Sequence, residues 1–211
     1  MSAQEKIIIV GGGGHAKVLI ELIKAQAIYE IAGVIDPQKE VGSEVCGVNV
    51  LGGDDIVSDQ YVKGIKNACV AVGTVRNNDH KRSDLFENLK KQGFLMPALI
   101  HPSSHVSQSA HIAEGVQIMT GVIVQSDSFI SENCIVNTGA IIEHDCIVKK
   151  DTHIAPGATI CGGCEVGKGS FIGAGAIVIQ SIRVGKNSLI GAGAVVAKDV
   201  PDNFVIKGEY R

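Results

Sequence analysis

Two periodicities divide the chain at about residue 99. In the first part, short apolar runs alternate with amphipathic ones. Lys6–Val10 (KIIIV) is an unbroken apolar run, the pattern of a strand covered on both sides. Gly11–Gly14 interrupts it, and in Ala16–Ala27 the residues Val18, Leu19, Leu22 and Ile23 recur at helical spacing. Ile31–Ile35 predicts a second strand, Ala68–Val72 a third and Phe94–Ile100 a last one. Asp79–Gln92 predicts a charged helix with Leu85, Phe86 and Leu89 on its buried side, stopped by Gly93. Strands alternating with helices imply a small, open, Rossmann-like α/β domain with a parallel sheet over residues 1–99.

From Ile100 onward the period becomes six. Ile or Val stands at 17 successive positions, from 100 to 196 in steps of six. Three residues after each comes Gly, Asp, Asn or Ser, the types that tolerate a left-handed turn. Four residues after each comes a small or β-branched side chain, among them Ser128, Cys134, Cys146, Thr152, Cys164 and Ser170. A short strand and a sharp corner use six residues, and three such units close a triangular coil. The expected placement puts the aliphatic inside the corner and the small residue where walls converge. Stacked coils over 100–211 form a parallel β-helix with flat sides that call for partners, most simply two more copies in a homotrimer.

Composition narrows the function classes. Trp is absent and aromatic residues are 4% of the chain, so burial rests on Ile, Val, Leu and Ala. The net charge of −3 offers no electrostatic footprint for nucleic acid. Apolar runs are too short for membrane insertion. The first six residues lack the features of a secretory signal, and the six cysteines read as free thiols, so a cytoplasmic location is expected. Cys161-Gly-Gly-Cys164 has no second pair, and Cys164 falls in the small-residue slot, so no metal is expected there.

The hexad resembles the left-handed β-helix acyltransferases of the hexapeptide-repeat class. GGGGHAKV after the first strand, IDP after the second and IEHD (142–145) within the repeat narrow the likeness. Together they resemble the sialic acid O-acetyltransferase and UDP-4-amino-sugar N-acetyltransferase family. That resemblance implies acetyl-CoA as cosubstrate and a nucleotide-linked sugar as acceptor in glycan assembly. It also implies that Gly13, Gly14 and His15 touch the nucleotide sugar, with Asp36 and the Gly73 loop beside its base or ribose. The segment KGEYR (207–211) departs from the Gly-x-Pro-Ala tail usual in such families, which puts a cover over the coenzyme in doubt.

The residues support parts of this directly. A glycine turn leading into a helix lets backbone approach a phosphate and aims N–H groups at it, although tight turns also use glycine for steric reasons. His15 reads equally as a helix cap. His144 sits at a corner between Glu143 and Asp145, which can orient its ring and raise its basicity. A solvated corner histidine is the plainer reading. Eighteen residues on, Gly162 stacks over it with its N–H open to an oxyanion. His153, half a coil away, is a coenzyme contact by family likeness and cannot meet His144 within one chain. Ala174 and Ala192, one coil apart, leave a smooth groove for a pantetheine arm. Asn137 is placed to hydrogen-bond the sugar across an interface. His101, His105 and His111 read as linker and wall residues. O-acetylation of a sugar, a non-catalytic nucleotide-sugar sensor and zinc-dependent CO₂ hydration are the competing readings.

Overall fold

A computed structural model describes residues 4–73, 80–208 and 210. They divide into two compact units, one ending at Pro97 and the other starting at Ala98. The expected helix start at Asp79, and Glu209 and Arg211 of the tail, lie outside the described residues.

The first unit is a sheet with helices. Its elements are β1 (Glu5–Val10), α1 (Gly14–Gln26), β2 (Tyr29–Ile35), β3 (Glu44–Val45), β4 (Val48–Gly52), α2 (Val57–Val62), β5 (Asn67–Val70) and α3 (Lys81–Lys91). The sheet order is β3-β4-β2-β1-β5, parallel throughout except for the β3–β4 hairpin at one edge. Strand β1 is interior, flanked by β2 and β5, which explains its apolar run: Ile7, Ile8 and Ile9 are fully buried. Helix α1 buries Ala16, Leu19, Ile20, Leu22 and Ile23 and ends at Ala27 in the left-handed conformation. Val18, expected on the buried face, is 39% exposed; Ile20 takes its place, because the apolar stripe lies one position further round. From α3, Phe86 and Leu89 are buried and Leu85 is half-buried.

Two expectations are corrected here, and two elements are added to them. The hairpin and α2 were not signalled by the pattern. Phe94–Ile100 is not one strand: Leu95 bridges Asn67 in the first unit, whereas Leu99–Ile100 pairs with Gln117–Ile118 in the second. The hexad aliphatics do not fill corners. Each is the second residue of a two-residue strand on a flat wall, facing inward, and every one from Ile118 to Val196 is buried.

The second unit is a left-handed parallel β-helix with three faces, of seven, six and five strands. The first face carries 99–100, 117–118, 135–136, 153–154, 171–172, 189–190 and 205–206; the second starts at 105–106 and the third at 111–112. Partners such as Ile123 and Ile141 lie 18 residues apart, one coil. A positive φ recurs in the third position after the aliphatic from Gly115 to Gly193, including the non-glycines Asp127, Asn133, Asp145, Asp151, Ser181 and Asn187. Ser103, Ser109 and Asp199 escape it at the two ends. The last coil is shorter, since Leu189 pairs with Val205, 16 residues on.

The small-residue slot has a chemical logic beyond size. Ser128 Oγ donates to the Glu143 carbonyl at 2.7 Å, and Ser170 Oγ to that of Gly185 at 2.7 Å. Cys134 Sγ reaches Lys149 O at 3.1 Å, Cys146 Sγ reaches Cys161 O at 3.2 Å and Cys164 Sγ reaches Ile179 O at 3.0 Å. Each buried hydroxyl or thiol supplies a donor to the carbonyl that precedes the next coil's corner, a group the ladder leaves under-used. The cysteines therefore belong to the fold's own bonding.

Candidate active site

Four clusters of the expected residues are identifiable, and the fold fixes each locally. The first is the glycine turn between β1 and α1. Gly13, Gly14, His15, Asp36 and Gly73 all line one cavity of about 230 Å³ in the first unit. The fold itself demands Gly11, which has φ +106° with Ala71 O 3.0 Å from where a Cβ would stand, whereas a Cβ on Gly12 would meet only the movable end of Lys39, at 2.7 Å, and the Asp36 carboxylate. Gly13 and Gly14 have open space where a Cβ would stand. Packing gives no reason for glycine at these two, which leaves access for something from outside the chain. Asp36 locks the turn: Gly12 N–H donates to Oδ2 at 2.6 Å and Gln38 N–H to Oδ1 at 2.8 Å. Its carboxylate is thus partly spent on the loop itself. The cavity also takes in Gln38, Asp54 and Lys81, which no motif pointed to.

The second cluster is the corner between the second and third faces. Asp145, at φ +58°, turns its carboxylate back onto its neighbour, and His144 Nδ1 lies 2.7 Å from Asp145 Oδ2. Both side chains are exposed, at 63% and 64%. The bond to Asp145 holds the His144 imidazole above its ordinary pKa, with the Asp145 and Glu143 charges adding to this and desolvation opposing it. With Nδ1 occupied by Asp145, Nε2 is the nitrogen available for proton transfer. Ser128 clamps this corner from one coil below, donating to Glu143 O and accepting Cys146 N–H at 3.2 Å.

Gly162 stacks over the ring as the coil arithmetic requires. A Cβ there would sit 2.7 Å from both Cε1 and Nε2 of His144. The imidazole therefore lies flush against the next coil only because that position is bare. The ladder uses the Gly162 carbonyl, which accepts Ser181 N–H at 2.9 Å, and among the described residues it does not use the Gly162 N–H.

The third cluster is on the first face. His153 is 6% exposed, packs edge-on against Phe171 at 5.1 Å and lies 3.3 Å from Asn137 Nδ2 through Nε2. Asn137 and His153, expected to serve different ligands, thus touch each other. The fourth is the edge between the first and second faces. There Ala174 and Ala192 are both exposed and one coil apart, with Gly193 N–H donating to Ala174 O at 2.8 Å. A Cβ on Gly173 would strike Ala192 N at 2.5 Å, so close coil stacking, not a ligand, demands that glycine. In one chain the whole second face separates His144 and Gly162 from Ala174 and Ala192.

Among the described residues no group of three His, Cys, Asp or Glu is placed to hold a metal, and no helix is long and apolar enough to cross a membrane.

Comparison with known proteins places this arrangement. The PglD N-terminal domain family matches residues 6–89, and the bacterial transferase hexapeptide family (six repeats) matches residues 163–198. GDP-perosamine N-acetyltransferase from Caulobacter crescentus is 36% identical, with a TM-score of 0.88 over 96% of this chain and 93% of that one. The chain belongs to the hexapeptide-repeat acetyltransferases that carry a PglD-type N-terminal domain. The acetyltransferase domain of PglB from Neisseria gonorrhoeae is a further member, with 36% identity and a TM-score of 0.90 over 97% of each chain. The Caulobacter structure holds CoA and GDP-perosamine, and a second structure of the Neisseria domain holds acetyl coenzyme A. Among curated relatives, UDP-N-acetylbacillosamine N-acetyltransferase of Bacillus subtilis is 36% identical over 115 residues, which spans about half of its length (51%).

Proposed function

We propose that this member of the family transfers acetyl from acetyl-CoA to the amine of a nucleotide-linked sugar, best a 4-amino-4,6-dideoxy sugar. One observation carries the reading: His144 donates Nδ1–H to Asp145 and rests its other edge against a bare Gly162. This is a base with its tautomer set and space kept free beside it. The relatives, a GDP-perosamine N-acetyltransferase and a UDP-N-acetylbacillosamine N-acetyltransferase, support this substrate class.

The chemistry needs few groups. The sugar amine attacks the thioester carbonyl and forms the C–N bond. His144 Nε2 takes the proton that the amine loses. The Gly162 N–H faces the oxygen that becomes negative in the tetrahedral intermediate. Collapse breaks the C–S bond, and His144 returns its proton to the leaving thiolate. Glu143 adds negative charge beside the protonated ring. The reaction passes through no acyl-enzyme, since the thioester meets its acceptor directly.

The glycine turn suits the nucleotide. Gly13 and Gly14 leave room at the start of α1, and Lys81 contributes a cation to the same cavity. Asn137, His153, Ala174 and Ala192 serve acetyl-CoA and the sugar from a neighbouring copy. Outward-facing Phe129, Ile147 and Ile177, each about 41–42% exposed, give the rod apolar walls for such packing. A homotrimer predicts a sedimentation mass three times the 22.0 kDa chain; a monomer in solution removes the shared cleft. The substrate is tested by following thiol release from acetyl-CoA against a panel of nucleotide-linked 4-amino and 4-hydroxy sugars. Turnover confined to the amines is the expected result. Turnover of the hydroxy sugars alone turns the reading to O-acetylation, and none with any acceptor points to a sensor.

A further inference from the structure

The turn that carries His144 is held differently from the turns on a neighbouring edge of the rod. It runs from Glu143 to Cys146, with His144 and Asp145 at its two central positions. Along the edge between the first and second faces, turns close on themselves by a backbone bond from the fourth residue to the first. Ala158 N–H donates to Ala155 O at 3.2 Å, Ala176 N–H to Gly173 O at 3.0 Å and Ala194 N–H to Gly191 O at 3.2 Å. Each of these turns stacks on an alanine one coil below (Ala140, Ala158 and Ala176), which offers no polar side-chain atom. Among the described residues the His144 turn has no such direct bond. The coil below it supplies Ser128, buried at 1% exposure, whose Oγ joins the two ends. That oxygen donates to Glu143 O at 2.7 Å and accepts Cys146 N–H at 3.2 Å.

We propose that Ser128 is a positioning residue for His144: its hydroxyl is the strut that spaces the ends of the turn and so sets where the imidazole stands. This rests on the acetyl-transfer reading above, in which Nε2 must meet the amine as it loses its proton. The exposed ring takes its place from its own backbone and from Asp145, because Gly162 offers it no side chain. Both of those supports belong to the turn that Ser128 spans. Without the hydroxyl, Glu143 O and Cys146 N–H lose their shared partner. Relief comes from drawing the ends together, toward the closure of the alanine-stacked turns, and that displaces the two residues between them.

A matched control exists within the rod. Ser170 Oγ bridges the turn 185–188 in the same way, donating to Gly185 O at 2.7 Å and accepting Ser188 N–H at 3.0 Å. That turn lies on another edge and carries no histidine. The slot also has a precedent for a conservative replacement. Thr152 occupies it in another coil, and its Oγ1 donates to Gly167 O at 3.1 Å, 15 residues on, as Ser128 does to Glu143 O.

The test is steady-state thiol release from acetyl-CoA with a nucleotide-linked 4-amino sugar, across pH, with melting temperatures measured in parallel. Ser128→Ala should lower kcat about tenfold with the KM of both substrates nearly unchanged, the sign of a displaced reacting group. Its acid limb should move to lower pH, because the Asp145 bond that raises the imidazole pKa is weakened. The adjoining turns bring Asp127 and Cys161 as their titratable groups, and the substitution alters no charge on any of the three turns. A moved limb therefore reports geometry. Ser170→Ala should lose comparable melting temperature yet keep its kcat within about twofold and its limb in place. Ser128→Thr retains the hydroxyl and should restore kcat to within about threefold of wild type. If alanine leaves too little folded protein, Ser128→Cys replaces it. A thiol fills this slot at 134, 146 and 164, and as the weaker donor and acceptor it should give an intermediate kcat with the limb moved the same way. The positioning role is overturned if Ser128→Ala, or Ser128→Cys in its place, matches Ser170→Ala in kcat and limb. Full activity of His144→Ala, or no thiol release by the wild-type chain, instead sinks the acetyl-transfer reading beneath it.

Discussion

Asp145 illustrates how one backbone angle sets up chemistry. Its left-handed φ of +58° brings the carboxylate to His144 Nδ1, and that bond is the largest cause of the raised imidazole pKa. In the proposed mechanism His144 acts as a base in its neutral form. Activity therefore rises with pH through the raised pKa, and the acid limb of the profile lies above that of a free imidazole. Asp145→Asn removes the charged acceptor, so the limb should move to lower pH while kcat falls about tenfold or more; a limb that stays in place would refute the pairing. Gly162 is the complementary case. Its φ lies outside the left-handed range, so alanine suits its backbone, but the added Cβ displaces the ring it would touch. Gly162→Ala should keep the melting temperature and lose roughly a hundredfold in kcat, the scale of an ångström-sized misplacement. The sequence named His144, Asp145 and Gly162 because stacking at one coil is simple arithmetic. It gave no sign of Lys81 or Asp54, which reach the cavity beside the glycine turn from separate elements without a shared period. Nor could it show that Asn137 and His153 lie against each other, a matter of rotamers.

At the scale of elements, the hexad was legible because six-residue spacing is repeated many times over. Spacing gives period and not phase, which is why the aliphatics were expected in corners and stand on walls. The β3–β4 hairpin escaped for a different reason. Its turn is Cys46-Gly47, with φ of 48° and 75°, where the usual signal for two left-handed residues is Asn-Gly. The final coil escaped because it leaves the hexad, shortening to 16 residues after Val196. The slot residues give this scale its prediction. Ser170 Oγ donates to Gly185 O at 2.7 Å and accepts Ser188 N–H at 3.0 Å, fully inside the rod. Ser170→Ala strands both groups and should cost about 2–4 kcal/mol in denaturant unfolding, where a surface serine would cost under about 0.5. A loss no larger than that would show that the slot selects for size alone.

For the molecule as a whole, two units divide the labour that the reading requires. The sheet unit offers a glycine turn with two unexplained glycines and a cavity beside it. The rod offers a base on one edge and small residues on another, with a full face between them. In the proposed reading, that separation makes side-by-side rods part of the mechanism as well as of the assembly. The most direct measurement is thiol release from acetyl-CoA by His144→Ala, with a nucleotide-linked amino sugar as acceptor and nucleotide binding followed in parallel by calorimetry. The account predicts a fall of about 10²–10⁴ in kcat with nucleotide affinity unchanged. Turnover at the wild-type rate would contradict it.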